Sequence, residues 1–311
     1  MYDSTAEQPT GLHAARTIAG DIKIAHSVFA LPFALLAAFM AGGSEVGGIQ
    51  WGPFLIALLL VAVAMICART VAMLANRLFD RHIDALNPRT AGRALPSGRL
   101  GTEQALGSIA IASVVFLLTC LGFLWLSGNP WPIMLGVPVL LWISLYPLAK
   151  RFTPLCHAWL GSSLALSPLA AALAVAPDSL VQLPALWCLA AMVLAWVTGF
   201  DILYALQDVE IDRTQGLHSM PSRWGVRRSM WISRGLHLGA IGLLVLAWWM
   251  TPGFRYVFLG GIVAATALLV WEHAIIARYG TDRITMAFFT LNGIVSCLLG
   301  LTGVIDVLSA G

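Results

Sequence analysis

Apolar residues run along this chain in long blocks, and short polar stretches separate them. A helix that crosses a bilayer needs about 20 mostly apolar residues. On that measure the pattern predicts nine spans, near His26–Ala41, Pro53–Ala75, Glu103–Leu126, Trp131–Leu148, His157–Ala176, Leu183–Leu206, Met230–Met250, Tyr256–Ala277 and Ile284–Leu308. The first is short, but it can extend back through Ile22. Glycine and proline punctuate the gaps, as at Gly42-Gly43, Gly128-Asn129-Pro130 and Thr251-Pro252-Gly253. The expected fold is therefore all-α, a single polytopic membrane domain.

Charge tests this layout. Cytoplasmic loops collect Lys and Arg. The first, third, fifth and seventh connections hold Arg255 and no other basic residue. Every other Lys and Arg lies in the N-terminal tail, in the even connections, or at helix ends beside them. The alternation puts the N-terminus inside and the C-terminus outside, as expected for a bacterial inner-membrane protein. Composition agrees: 59% of the 311 residues are hydrophobic and 11% are charged, against about 25% charged in soluble domains. A net charge of +3 partitioned by membrane side does not suggest nucleic acid. The partners expected instead are membrane lipid and small substrates. The polar N-terminus lacks the pattern of a cleaved signal, so insertion is expected to use the first span. Cys67, Cys120, Cys156, Cys188 and Cys297 form no C-x-x-C pair and read as small core residues.

The even connections alone carry enough polar chemistry for catalysis. The second opens with Asn76, Asp80 and Asp84, spaced four apart, which share one face if the second helix continues through them. The sixth repeats the device with Asp208 and Asp212, and Asp201 lies about two turns earlier on nearly the same face. Adjacent carboxylates repel unless a cation lies between them. Mg²⁺ suits such a place, because it typically takes one or two carboxylates plus substrate phosphate oxygens. One acidic pair at this spacing is more often an ordinary solvated helix face. Two pairs at matching membrane depth favour function, as do Asp201 and Tyr204 within an apolar span. The repeat suggests two related helical halves, about residues 20–150 and 151–311, with a shared site between them. Arg89 and Arg93 follow the first cluster in a Pro/Gly-rich loop and read as phosphate ligands. Arg227 and Arg228, at the start of a span, read as ordinary positive-inside charge.

These residues resemble the UbiA superfamily of intramembrane prenyltransferases. The family's first motif, N-D-x-x-D-x-x-x-D, is matched by Asn76, Asp80 and Asp84. The second, D-x-x-x-D after D-x-x-Y-A, is matched by Asp201, Tyr204-Ala205, Asp208 and Asp212. Arg89-Thr90-x-x-Arg93-x-Leu95-Pro96-Ser97-Gly98 and Tyr146-Pro147-x-x-Lys150-Arg151 are similar to two further family segments. Arg77 replaces a usual Asp and takes no metal role, and His218 replaces a frequent Lys. Within the superfamily the motifs are similar to the 4-hydroxybenzoate polyprenyltransferase group, in particular its futalosine-route menaquinone branch.

The resemblance implies transfer of a polyprenyl group from polyprenyl diphosphate to an aromatic acid, most readily 4-hydroxybenzoate, in ubiquinone or menaquinone biosynthesis. Acceptors such as a naphthoate, a haem or a chlorin stay open, as does an ion-coupled carrier. It further implies two Mg²⁺ ions, one on Asp80 and Asp84 with Asn76 assisting, the other on Asp208 and Asp212. Arg89, Arg93, Lys150 and Arg223 would complete the diphosphate clamp. Tyr146 and Tyr204 would either face the allyl cation or anchor at the interface. Asp201 would orient the acceptor phenol or accept its ring proton. Outside the motifs, His26 and Lys23 open the first span and are candidates to reach an acceptor carboxylate, with snorkelling at the interface the simpler account for Lys23. Glu272 and His273 are expected to pair near the surface with Arg278, and Asn292 to bond between helices.

Overall fold

The computed structural model describes residues 17, 20, 29–45, 47–284 and 287–310. Lys23 and His26 fall outside them. The described chain is helical: α1 (Leu31–Gly43), α2 (Trp51–Leu86), α3 (Thr102–Ser127), α4 (Trp131–Leu145), α5 (Cys156–Val175), α6 (Ala185–Tyr204), α7 (Val209–Thr214), α8 (Met220–Trp224), α9 (Val226–Met250), α10 (Tyr256–Tyr279) and α11 (Asn292–Ala310). A 3₁₀ segment, Tyr146–Arg151, extends α4. Among the described residues eight helices are long and apolar enough to cross a membrane. They answer eight of the nine predicted spans. The remaining one is present as α1, an apolar helix of 13 residues.

Large apolar side chains face outward along the bundle, among them Leu59, Ile111, Leu238, Val263 and Val270, each more than 60% exposed. Water would penalise such a surface, whereas lipid chains match it. Between helices, small residues allow close approach, the usual device where lipid supplies no hydrophobic drive. A Cβ on Gly161 of α5 would lie 2.6 Å from the Leu194 carbonyl oxygen of α6. Gly300 and Gly303 of α11 sit in the same way against Pro32 and Leu36 of α1. α6 is the most enclosed span, and it packs extensively on α5 and α9. Its face of Leu189, Val193, Trp196 and Phe200 forms the centre of the main apolar cluster.

At 36 residues, α2 is much longer than a bilayer requires. Its last turns project past the apolar block and carry Asn76, Asp80 and Asp84. At the far end of the bundle Asp306 of α11 accepts from the backbone N–H groups of Arg255 (2.6 Å) and Phe258 (2.9 Å), which caps the start of α10.

Candidate active site

One cavity of about 320 Å³ opens where α2, α5, α6 and the polar connections meet. Asn76, Asp80, Asp84, Asp208 and Asp212 all line it, so both acidic clusters converge on one space. The helix that continues α2 past the membrane puts Asp80 and Asp84 on one face, and both are almost fully buried. On the other side α6 tightens to a 3₁₀ turn at Ala205–Asp208, then resumes as α7, which brings Asp208 and Asp212 round to the same cavity.

Cations hold three of these carboxylates, Asp80, Asp84 and Asp208. Lys150 Nζ donates to Asp80 Oδ2 (2.6 Å), and Arg151 Nη2 donates to Asp80 Oδ1 (3.2 Å). Arg93 Nη1 donates to both oxygens of Asp84 at 2.8 Å. Arg89 Nε donates to Asp208 Oδ1 (3.1 Å), and Asn87 Nδ2 shares that oxygen (2.9 Å). Arg89 also donates to the Tyr204 hydroxyl (3.0 Å) and lies over its ring, 5.3 Å from the centroid. Burial works against the Arg89 charge, but the bonds to Asp208 and Tyr204 outweigh it and raise its pKa above the usual guanidinium range. The loop after the first acidic cluster thus grips the second, a link spanning 119 residues.

The deeper wall is aromatic. Tyr204 packs on Phe288 with ring centroids 4.2 Å apart, and Phe200 and Phe29 lie 5.0 and 5.6 Å from Phe288. Phe289 completes the wall. Two polar residues interrupt it. Arg69, two turns before Asn76 on α2, lines the cavity with its Nε and Nη2 buried and unbonded. Asp201 accepts from His157 Nδ1 at 2.7 Å. A larger apolar groove along α11, lined by Ile294, Cys297 and Leu301, carries no such chemistry.

Residues 30–294 match the UbiA prenyltransferase family. The chain belongs to this family. It is 30% identical over 243 residues to the 4-hydroxybenzoate octaprenyltransferase of Aeromonas hydrophila, covering 77% of this chain and 80% of that protein. The enzyme of the same name from Aeromonas salmonicida is 29% identical over 241 residues, with 77% and 80% covered. Among solved structures, the apo form of a UbiA homolog from Aeropyrum pernix K1 superposes with a TM-score of 0.79 at 27% identity, covering 91% of this chain and 98% of that one. A UbiA homolog from Archaeoglobus fulgidus bound to DMAPP and Mg²⁺ shares the fold, with a TM-score of 0.66 at 18% identity over 96% and 99% of the chains.

The cavity collects Tyr146, Lys150, Asp201, Tyr204, Arg89 and Arg93 beside the acidic motifs, as the motif reading of this UbiA-family chain expects. Arg223 is the exception. It sits on α8, where Met220 and Pro221 turn inward and Arg223 turns out to solvent, so it is absent from the cavity wall. Arg77 lines the cavity and donates to Asn76 Oδ1 (3.0 Å). His218 meets Lys150 through its backbone N–H, which donates to the Lys150 carbonyl (2.6 Å). The surface pairing expected for Glu272 and His273 is wrong. Glu272 is 1% exposed and accepts from Asn292 Nδ2 (2.6 Å), while His273 Nε2 lies 3.1 Å from His237 Nδ1. Asn292 does bond between helices, as expected. Arg69, Asn87 and His157 are site residues outside the motif reading, and Arg151 is in a quoted motif but without a role there. A charge inside an apolar block was the available signal for Arg69.

Proposed function

We propose that this chain transfers a polyprenyl group from polyprenyl diphosphate to the ring of an aromatic acid, 4-hydroxybenzoate, in quinone biosynthesis. One observation carries the reading: two carboxylate clusters, their arginines and lysine, and an aromatic wall share one cavity. The named relatives and the family match support it.

The residues fit a divalent cation. The donors are hard carboxylate and amide oxygens, and Asp80, Asp84 and Asp208 each already hold a guanidinium or ammonium group, a positive charge where an ion's charge would serve. Among the described residues no three acidic, His or Cys side chains converge tightly enough to form a metal site alone. That suits Mg²⁺, whose shell is usually completed by substrate phosphate. Asp80 and Asp84, with Asn76, would hold one ion, and Asp208 and Asp212 a second. When bound, they would neutralise charge on the departing diphosphate.

The hard step breaks the allylic C–O bond. Diphosphate leaves with the electron pair, a ring carbon of the acceptor bonds to the allylic carbon, and the ring gives up a proton. Arg89, Arg93 and Lys150 supply further positive charge for the leaving group. Tyr204 and the phenylalanines present π faces to the developing cation and exclude water from it. Arg69 pairs with the acceptor carboxylate, which answers its unbonded buried nitrogens. Asp201 faces the acceptor hydroxyl. The isoprenoid tail runs along the apolar side of the cavity, past Leu160 and Leu164, toward lipid.

The test incubates membranes containing the protein with Mg²⁺, labelled geranyl diphosphate and a panel of aromatic acids. Prenylated product is expected with 4-hydroxybenzoate, and EDTA should abolish it. Full activity in Asp84→Asn or Asp208→Asn variants would refute the metal assignment. Solute uptake without chemistry would favour a carrier.

A further inference from the structure

His157 is the second residue of α5 and is 4% exposed. Both of its ring nitrogens are engaged. Nε2 lies 3.2 Å from the backbone nitrogen of Met220, and that N–H can only donate. Nε2 must therefore offer a lone pair, and in the neutral ring the proton sits on Nδ1. Nδ1 lies 2.7 Å from Asp201 Oδ2, so the imidazole donates to the carboxylate.

This arrangement sets Asp201 apart from Asp80, Asp84 and Asp208. Asp80, Asp84 and Asp208 are each bound by a full cation. Asp201 is bound by the His157 imidazole on one oxygen, and its side chain keeps 21% exposure in the cavity wall. One face of the carboxylate is thus fixed while the side chain still borders the cavity. A carboxylate held that way can accept from an O–H donor on the substrate.

We propose that His157 is a positioning residue for the acceptor. Through its Nδ1–H it fixes Asp201 so that the second carboxylate oxygen receives the hydroxyl of the phenolic substrate. Met220, the first residue of α8, locks the tautomer with an N–H that the helix itself cannot use. The proposal rests on the transfer reaction above.

The test is steady-state kinetics of the full-length enzyme with Mg²⁺, varying 4-hydroxybenzoate and geranyl diphosphate separately. His157→Leu removes both bonds. It should raise KM for 4-hydroxybenzoate or lower kcat by about 10- to 100-fold, the range for a hydrogen bond to a charged group. KM for geranyl diphosphate should stay within about 2-fold, because the diphosphate clamp keeps all of its ligands. His157→Asn puts an amide N–H near the Nδ1 position but cannot reach Met220, and should retain most of the acceptor KM. In an Asp201→Asn background, His157→Leu should add little further loss. Equal damage to both substrates, an Asn variant as impaired as the Leu variant, or a full additional loss in the Asp201→Asn background would each overturn the assignment. Wild-type protein that alkylates no phenolic acid would overturn the transfer reading with it, whereas an active wild type with any of those three results overturns His157 alone.

Discussion

Asp80, Asp84 and Asp208 each meet a cationic side chain, whereas Arg69 meets no partner for two of its nitrogens. A guanidinium enclosed by a membrane bundle is costly unless an anion compensates it. The acceptor's carboxylate is such an anion, and Arg69 lies two turns deeper on α2 than Asn76, away from the diphosphate clamp. Arg69→Leu is therefore expected to raise KM for 4-hydroxybenzoate by about 10- to 100-fold, with KM for geranyl diphosphate little changed. The variant should also narrow the preference for 4-hydroxybenzoate over a neutral phenol of similar size. Kinetics with both acceptors would check this, and an unchanged ratio of the two kcat/KM values would refute the role. The acidic motifs were legible in the sequence because i, i+4 spacing writes a shared helix face directly into residue order. His157 was not legible, since its partners Asp201 and Met220 are 44 and 63 residues away and no local pattern marks it. Arg69 was legible in principle, by the same argument from charge inside an apolar block that singled out Asp201.

Element packing holds the aromatic wall in place through a second polar network, remote from the cations. Trp196 of α6 donates to Asn292 Oδ1 (2.8 Å), and Asn292 of α11 donates to Glu272 Oε1 of α10 (2.6 Å). All three residues are at most 1% exposed. Trp196 in turn packs edge-on to Phe33 and Phe200, 5.5 and 5.0 Å between centroids, and Phe200 lines the cavity. Asn292→Leu would orphan an indole N–H and a carboxylate oxygen together. The expected cost is about 2–5 kcal/mol, read as a lower unfolding midpoint in detergent. Adding Glu272→Leu should recover part of that loss, because an apolar pair leaves one fewer buried group unsatisfied. A second packing prediction concerns the α5–α6 contact. Gly161→Leu has no room against the Leu194 carbonyl, so it should separate the two helices and lower both stability and activity. The positions of these helices were legible from hydropathy. Their angular settings were not, because the spans are apolar on nearly every side and lipid-facing and buried faces look alike in residue type.

At the scale of the whole molecule, the site and the Asp306 cap lie at opposite ends of the bundle, and this separation permits a test of sidedness. The site end carries Arg81, Arg89, Arg93, Arg99, Lys150, Arg151 and Arg213, and the other end carries Arg255. Basic residues are retained on the cytoplasmic side during insertion, so we propose a cytoplasmic site, an N-terminus inside and a C-terminus outside, in a bacterial inner membrane. Two related halves, about residues 20–150 and 151–311, would each contribute one acidic cluster to that face. The sidedness can be read with single cysteines in a background where all five native cysteines are serine. Ser97→Cys lies in the loop after the first motif, and Gly253→Cys lies in the turn before α10. A membrane-impermeant maleimide should label Cys at 253 in right-side-out vesicles and Cys at 97 only in inverted ones. The reverse pattern would put the diphosphate site on the outer face. Labelling of both positions from one side would mean an even number of crossings between them, which the five spans α3, α4, α5, α6 and α9 do not allow.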